Sequence, residues 1–395
     1  MKNKILYLLG PTINTGATIS FKVILDGMLN YGHNIVVLIS NRNKNNEFID
    51  YMINKGCVVE FIDDEFSIWP SYSLKGWSNS FIKFPWRFVR KYFNLLRSYH
   101  QILHYIKKHR PDIVHTNVGV YPQAQKACKK LNIPHIWHLR EYQTKDFKWQ
   151  IFPSKNKFKK LLQMSNVITI TQDILNYFEL QNIKKAKVMW DGILPVNVTT
   201  FIPNKKPYFL CATRISPEKN IETAIEAFAK VANEIPNYRL IIVGLRSNLD
   251  YYNKLLKLTT ELNCTDKIEF HNHSENIKDQ MKDATALIVA SHFEGLGRMT
   301  LEATFMGCLV LGKNTGGTKE ILDNTKGGYL FNTTEELSNL IVETTFLAGS
   351  EKYKQIVLAA QQKVVEKCSN ENYCNQLNKI YQTTISVYNK NEKNS

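Results

Sequence analysis

Short, mainly apolar runs recur along the chain at intervals long enough to hold a helix, and this alternation limits the folds open to it. In the first half the runs are residues 4–10, 34–40, 57–62, 112–117, 134–140 and 166–171. In the second half they are 208–214, 238–244, 267–273, 284–290 and 308–314. Those of the first half are too apolar to have a wet face, and the second half repeats the pattern. Strands this apolar are covered on both sides, as in a parallel sheet wrapped by crossover helices. At 395 residues the chain exceeds what one such sheet organises. The predicted fold class is therefore α/β, with two doubly wound, Rossmann-like domains.

The boundary is expected at 191–207, where Pro195, Pro203, Pro207 and a Thr/Asn cluster interrupt the pattern. This gives a domain over 1–190 and another over 205–368. After Phe331 the strands end and helical patterns follow at about 334–348, 351–367 and 370–388, before a polar tail. Ligands of open α/β sheets sit beyond the carboxyl ends of the strands, so the site is expected on strand-to-helix turns.

Charge separates the halves. Residues 1–190 hold 28 Lys and Arg against 12 Asp and Glu, whereas 191–395 hold 23 of each. The whole net charge of +16 lies in the first half. Between Phe66 and Pro111 there is no acidic residue, and Lys75, Lys83, Arg87, Arg90, Lys91, Arg97, Lys107, Lys108 and Arg110 stand among Trp69, Trp77, Phe81, Phe84 and Trp86. An anionic partner follows: nucleic acid, an anionic membrane surface or a phosphorylated substrate. A stripe of Val89, Tyr92, Leu96, Tyr99, Leu103 and Ile106 predicts a helix that either packs on the sheet or docks on lipid. Seven cysteines at wide spacing, with no paired motif, point to a reducing cytoplasm. No apolar run approaches the length of a membrane helix.

Several motifs fail. The turn 10–18 lacks the Gly spacing and the Lys of a P-loop and the G-x-G-x-x-G of a dinucleotide fold, leaving a βα turn able to hold a phosphate. Asp63-Asp64-Glu65 reads as a solvated acidic turn before a cation site, and His271-Asn272-His273 has no further ligands at metal spacing.

The chemistry concentrates at 291–317, SHFEGLGRMTLEATFMGCLVLGKNTGG. A strand end, a Gly-rich turn and a helix N-terminus make a diphosphate site, with Glu294 before the turn and Glu302 about one helical turn inside. A carboxylate there can accept hydrogen bonds from the vicinal hydroxyls of a ribose. The second signal is 212–220, ATRISPEKN, where Arg214 and Lys219 are placed to neutralise a departing diphosphate.

Together these segments, the Gly316-Gly317 turn and WHLRE at 137–141 resemble the group 1, or family 4, retaining glycosyltransferases of GT-B fold. The resemblance spans nearly the whole chain and implies two domains facing a cleft, with 369–395 crossing back to the first. It implies a nucleotide-sugar donor in the second domain, a glycan acceptor in the first, and no metal or other cofactor. Carried over by position, Arg214 and Lys219 meet the diphosphate, Glu294 the sugar, Glu302 the ribose, and Gly16 a phosphate through its N–H. His138 matches the histidine near the anomeric centre. Gly295, Leu296, Gly297, Arg298, Thr300 and Leu301 complete the donor loop, with Leu296 where relatives often carry Phe, and Thr15-Gly16 where they carry Gly-Gly. The basic first domain is then expected against an anionic membrane, facing a polyprenyl-linked glycan in surface-polysaccharide synthesis. A GT-B nucleotide-sugar hydrolase or epimerase stays open as an alternative. So does a nucleic-acid-binding protein, for which no recognisable motif accompanies the charge.

Overall fold

The computed structural model describes residues 2–10, 16–43, 46–69, 77–147, 149–272 and 276–393. It divides into two compact units, Met1–Asp191 with Tyr373–Ser395, and Gly192–Asn372. The segment 191–207, expected as linker, lies in the second unit from Gly192 onward, and Ile193 and Leu194 are buried there.

Among the described residues the first unit runs β1 (Lys4–Leu8), α1 (Gly16–Asn30), β2 (Asn34–Ser40), α2 (Glu47–Asn54), β3 (Val58–Ile62), α3 (Trp77–His109), β4 (Ile113–Thr116) and α4 (Pro122–Leu131). It continues through β5 (His135–Leu139), α5 (Thr144–Phe147), α6 (Lys155–Gln163), β6 (Asn166–Thr169), α7 (Gln172–Tyr177) and β7 (Ala186–Val188). The sheet is parallel, in the order β3-β2-β1-β4-β5-β6-β7. β4 and β5 are buried along their whole length, as continuous apolar runs require. One face packs Ile5, Tyr7, Ile136 and Ile168 against Phe21 and Leu25 of α1. Tyr373, Leu377 and Tyr381 of the last helix, α15 (Asn370–Lys393), join the same core. The other face packs Leu6, Leu8, Val36 and Leu38 against α3 and α4.

The second unit runs β8 (Lys206–Ala212), α8 (Ile221–Val231), β9 (Arg239–Val243), α9 (Leu249–Glu261), β10 (Ile268–His271), α10 (Ile277–Asp283) and β11 (Ala284–Val289). Then come α11 (Arg298–Phe305), β12 (Leu309–Lys313), α12 (Gly316–Thr325), β13 (Gly328–Phe331), α13 (Thr334–Leu347) and α14 (Glu351–Cys368). Its parallel order, β10-β9-β8-β11-β12-β13, reverses direction between β8 and β11. Phe209, Ile225, Phe228, Leu255, Leu337 and Ile341 form the core on the α8, α9 and α13 side.

Two sequence expectations are corrected. The stripe on α3 is only half covered: Leu103 and Ile106 are buried, but Val89, Tyr92 and Leu96 are 42%, 49% and 37% exposed. A helix of 33 residues is about 50 Å long, whereas a five- to seven-residue strand spans about 16 to 23 Å, so α3 overshoots its sheet. The turn 63–65 is not a solvated acidic turn. Asp64 is buried and accepts from the hydroxyls of Ser40 and Tyr121, Asp63 pairs with Arg97 at 2.6 Å, and Glu65 pairs with Lys91. Part of the basic face of α3 is therefore answered within the fold. Residues 70–76 of the aromatic insert, 11–15 of the turn after β1, and His273 lie outside the described residues.

Candidate active site

In an open parallel sheet the turns on either side of a strand-order reversal diverge and leave room for a ligand. β8 and β11 are such a pair, and both sequence signals of the second half lie on their carboxyl-end turns. After β8 the chain makes a short 3-10 turn over Pro217–Lys219, and Asn220 takes the left-handed conformation at φ +51° that sends it into α8. Asn220 donates from Nδ2 to the Ala290 carbonyl at 3.1 Å, and His292 N–H donates to the Glu218 carbonyl at 3.1 Å. These bonds stitch the β8 turn to the β11 turn. They set Lys219 Nζ 2.7 Å from Glu294 Oε1, with side chains 18% and 21% exposed. Arg214, in contrast, is 56% exposed and held by Glu218 at 2.7 Å.

The β11 turn is pressed against the start of α12. Gly317 N–H donates to the Glu294 carbonyl at 2.8 Å. A Cβ on Gly317 would stand 2.3 Å from the Leu296 carbonyl oxygen, and one on Gly316, whose φ is +53°, 2.6 Å from that of Glu294. Only glycine allows this approach. Two helix N-termini are thereby brought together: α11 begins after Gly297 and α12 after Thr315, neither with a side-chain cap, and Thr300 and Thr318 hydroxyls lie 3.4 Å apart. First-turn N–H groups without a side-chain cap, that of Gly317 excepted, and the positive ends of two helix dipoles make a setting for anionic oxygens.

Glu302 sits inside α11, 3.5 Å from Arg298. Burial raises its carboxyl above the usual range, with Arg298 and then Lys278 pulling the other way. Leu296, Thr300 and Leu301 are buried, so what they offer a ligand is backbone. Gly295 is partly exposed beside Glu294, and Gly16 is exposed as the first residue of α1, in the first unit.

His138 belongs to a separate buried network in the first unit. It projects from β5 onto the α1 and α15 side, next to His115 of β4. His115 Nε2 lies 3.2 Å from His138 Nδ1, Arg140 Nη2 lies 3.4 Å from the same nitrogen, and Tyr381 reaches His115 Nδ1 with its hydroxyl. Arg140 is clamped by Asp191, which also accepts from Ser20 at 2.7 Å and Tyr373 at 3.4 Å, and its Nε donates to Asn117 at 3.1 Å. Burial opposes the Arg140 charge, Asp191 outweighs it, and the guanidinium titrates above its ordinary value. Burial and then Arg140 push His115 and His138 well below the usual histidine range, with His135 adding to the effect on His115 and His115 to that on His138.

Sequence reading missed Glu218, Asn220, Thr318, His115, Arg140, Asp191 and Tyr381. Asn220, directly before a helical pattern, carried a local signal. Tyr381 carried none, because its partner His115 is 266 residues away.

Among the described residues no group of three His, Cys, Asp or Glu side chains is placed to hold a metal ion.

Known proteins match the chain in sequence over most of its second unit and in fold over nearly its whole length. Residues 198–363 match the family described as glycosyl transferases group 1. A poly(glycerol-phosphate) alpha-glucosyltransferase of Bacillus subtilis is 25% identical over 264 residues, 64% of this chain and 38% of that protein. The chain spans 38%, 42% and 48% of the length of three such curated relatives. Among solved structures, a glycosyltransferase from Rickettsia africae superposes with a TM-score of 0.76 at 19% identity, covering 97% of this chain and 99% of that one. HepE of Anabaena, solved with UDP, gives 0.75 at 18% identity, covering 97% and 100%. Residues 198–363 thus match the group 1 glycosyl transferases, and the two parallel sheets have the GT-B fold of the solved glycosyltransferases.

Proposed function

We propose that the chain is a retaining glycosyltransferase that moves a sugar from a nucleotide-diphosphate sugar to a glycan acceptor without a metal. The observation that carries this reading is the Lys219–Glu294 pair at the β8/β11 reversal, beside two uncapped helix N-termini. Lys219 and Arg214 receive the diphosphate, Glu294 the sugar hydroxyls and Glu302 the ribose. In the transfer the bond from the anomeric carbon to phosphate oxygen breaks, and a bond to the acceptor hydroxyl forms on the same face. The departing phosphate oxygen takes the acceptor's proton, so no carboxylate nucleophile is required. Charge building on that oxygen is met by Lys219, Arg214 and the N–H groups of α11 and α12. HepE, solved with UDP, supports a uridine donor as the first to try.

The test is incubation with a panel of nucleotide sugars and oligosaccharide or lipid-linked acceptors, with the anomeric configuration of the product read by NMR. An inverted product refutes retention. Free sugar released with no acceptor product supports the hydrolase alternative, and an epimerised nucleotide sugar the epimerase.

The acceptor we propose is polyprenyl-linked and presented at the cytoplasmic face of a membrane, in cell-surface polysaccharide synthesis. The seven cysteines are buried and none forms a disulfide, which suits a reducing compartment. Among the described residues no helix is long and apolar enough to cross a membrane. Trp86, Val89, Phe93 and Leu96, at 70%, 42%, 64% and 37% exposure, form an apolar stripe on the overshooting part of α3, with Arg90 exposed beside it. Such a stripe with basic flanks suits an anionic bilayer. Replacing Trp86 and Phe93 by Ser should abolish sedimentation with phosphatidylglycerol vesicles and leave nucleotide binding intact. Unchanged sedimentation would refute the membrane reading.

A further inference from the structure

A cavity of about 140 Å³ opens within the first unit, beyond the carboxyl ends of β2 and β3 and against α3. It stands toward the β3 edge of the sheet, away from the strand-order reversal between β1 and β4. At roughly 30 Å³ per water this is room for about five waters, or one sugar-sized unit. Every described side chain lining it is polar or charged, and the three carboxylates among them are fixed by the fold. Asp64, 7% exposed, takes the Ser40 and Tyr121 hydroxyls on its two oxygens. Asp63 accepts from Asn41 and, at 2.6 Å, from Arg97, while its backbone N–H donates to Gln101 Oε1 at 2.7 Å. Glu65 accepts from Lys91 and, at 3.1 Å, from Asn94. A carboxylate has about four lone-pair sites, so Asp64 and Glu65 keep room to accept more.

The cations around the cavity are not all spent. Arg97 is answered by Asp63 and Lys91 by Glu65. Arg42 differs: its backbone N–H donates to Ser40 Oγ at 3.3 Å within the 3-10 turn Asn41–Asn43, but its guanidinium has no hydrogen bond or ion pair among the described residues. Carboxylates with spare lone pairs and an unanswered guanidinium on one wall ask opposite things of a ligand. A bare anion would suit Arg42 and be repelled by three carboxylates. A neutral sugar would give its hydroxyl protons to the carboxylates and leave the cation unmatched. A hydroxylated molecule with one anionic group meets both, since a guanidinium holds carboxylate or phosphate through charge-assisted bonds. We infer that this cavity is a binding site for an acidic sugar, its ring hydroxyls donating to Asp64 and Glu65 and its carboxylate or phosphate held by Arg42. The site belongs to the first unit alone and does not rest on the proposed transferase activity. A free sugar acid and one unit of a longer acidic glycan present this same chemistry.

Titration calorimetry of the full chain with glucuronate and with glucose 6-phosphate tests the site, with glucose and inorganic phosphate as the two half-ligands. Both acidic sugars should bind at least about tenfold more tightly than either half-ligand, the low end for one charge-assisted hydrogen bond. Arg42→Gln, a change at an exposed side chain, removes the charge and should weaken glucuronate roughly 10- to 150-fold while UDP affinity stays at the wild-type value. Lys219→Met, which removes a cation from the second unit, should leave glucuronate affinity unchanged. A hyaluronan tetrasaccharide that binds more tightly than glucuronate assigns the site to a glycan chain; equal or weaker binding assigns it to a free sugar acid. The inference is overturned if neither acidic sugar binds, if glucose or inorganic phosphate binds as well as they do, if Arg42→Gln binds glucuronate like the wild type, or if Lys219→Met abolishes that binding. A chain that binds glucuronate through Arg42 yet transfers no sugar would end the proposed activity and leave this site standing.

Discussion

Lys219 reaches its ligand already engaged. Its ammonium is 2.7 Å from Glu294 Oε1, both side chains are about four-fifths covered, and the backbone bonds from Asn220 and His292 fix the two turns that carry them. On the proposed reading, a diphosphate at the N-termini of α11 and α12 shares or takes this cation. Lys219→Met keeps the apolar stem and removes the charge, so one charge-assisted hydrogen bond to phosphate is lost. Such a bond is worth about 1.5 to 3 kcal/mol, which is roughly a 10- to 150-fold rise in Kd for a nucleoside diphosphate. Glu294→Gln acts in the opposite sense: the cation is released from its carboxylate, and Kd for the free nucleoside diphosphate falls or holds. The same Gln variant should lose transfer from the nucleotide sugar by about a hundredfold, because the sugar hydroxyls lose a charged acceptor. Titration calorimetry with UDP, alongside a transfer assay, reads both arms. Wild-type UDP affinity in Lys219→Met, or equal loss of UDP affinity in both variants, would refute the assignment of diphosphate to the lysine and sugar to the glutamate.

Acid should destabilise the first unit by a mechanism that His115, His135 and His138 share. All three are buried, and burial drives His135 from 6.5 down to about 3. Below pH 6.5 the unfolded chain binds protons that the folded chain refuses, so stability is full above that pH and falls as it drops, by about 1.4 kcal/mol per pH unit for each histidine. Urea unfolding at pH 7.5 and 5.5 measures the loss, and His135→Gln should remove one histidine's share; a pH-independent midpoint would contradict the buried neutral state. Gly317→Ala should cost about 1 to 3 kcal/mol and weaken donor binding, since its Cβ would meet the Leu296 carbonyl oxygen at 2.3 Å. Calorimetric melting with and without UDP checks both effects, and an unchanged melt would show that the turn is not close-packed.

The sheet was readable because doubly covered strands announce themselves as unbroken apolar runs. The strands that escaped are edges: β7 is the three residues Ala-Lys-Val, with Lys187 exposed, and β13 is the four residues Gly328–Phe331. An edge strand is covered on fewer sides and needs no long apolar run. Lys219 and Glu294 were legible for a related reason, since each lies on a strand-end turn whose local sequence fixes its place. Their direct pairing was not, because it depends on the register between β8 and β11. The acidic turn 63–65 misled for want of its partners: Lys91 and Arg97 face it only once α3 has packed on the sheet. The buried network around His138 is the extreme case, assembled from strands early in the chain and a helix at its end.

That last helix also bears on how the protein is made. The second unit is one uninterrupted stretch, Gly192–Asn372, and can close its core as soon as it leaves the ribosome. The first unit cannot, although 191 residues of it emerge first. Its core awaits Tyr373, Cys374, Leu377 and Tyr381, with Cys374 packed so tightly on α1 that a Cβ at Gly27 would lie 2.2 Å from its sulfur. At about 5 to 20 residues per second, the nascent first unit spends roughly 10 to 40 seconds with that face uncovered. A chaperone that binds apolar surface therefore has its natural window there, and a premature stop near residue 372 would leave a folded second unit tethered to a first that never seals.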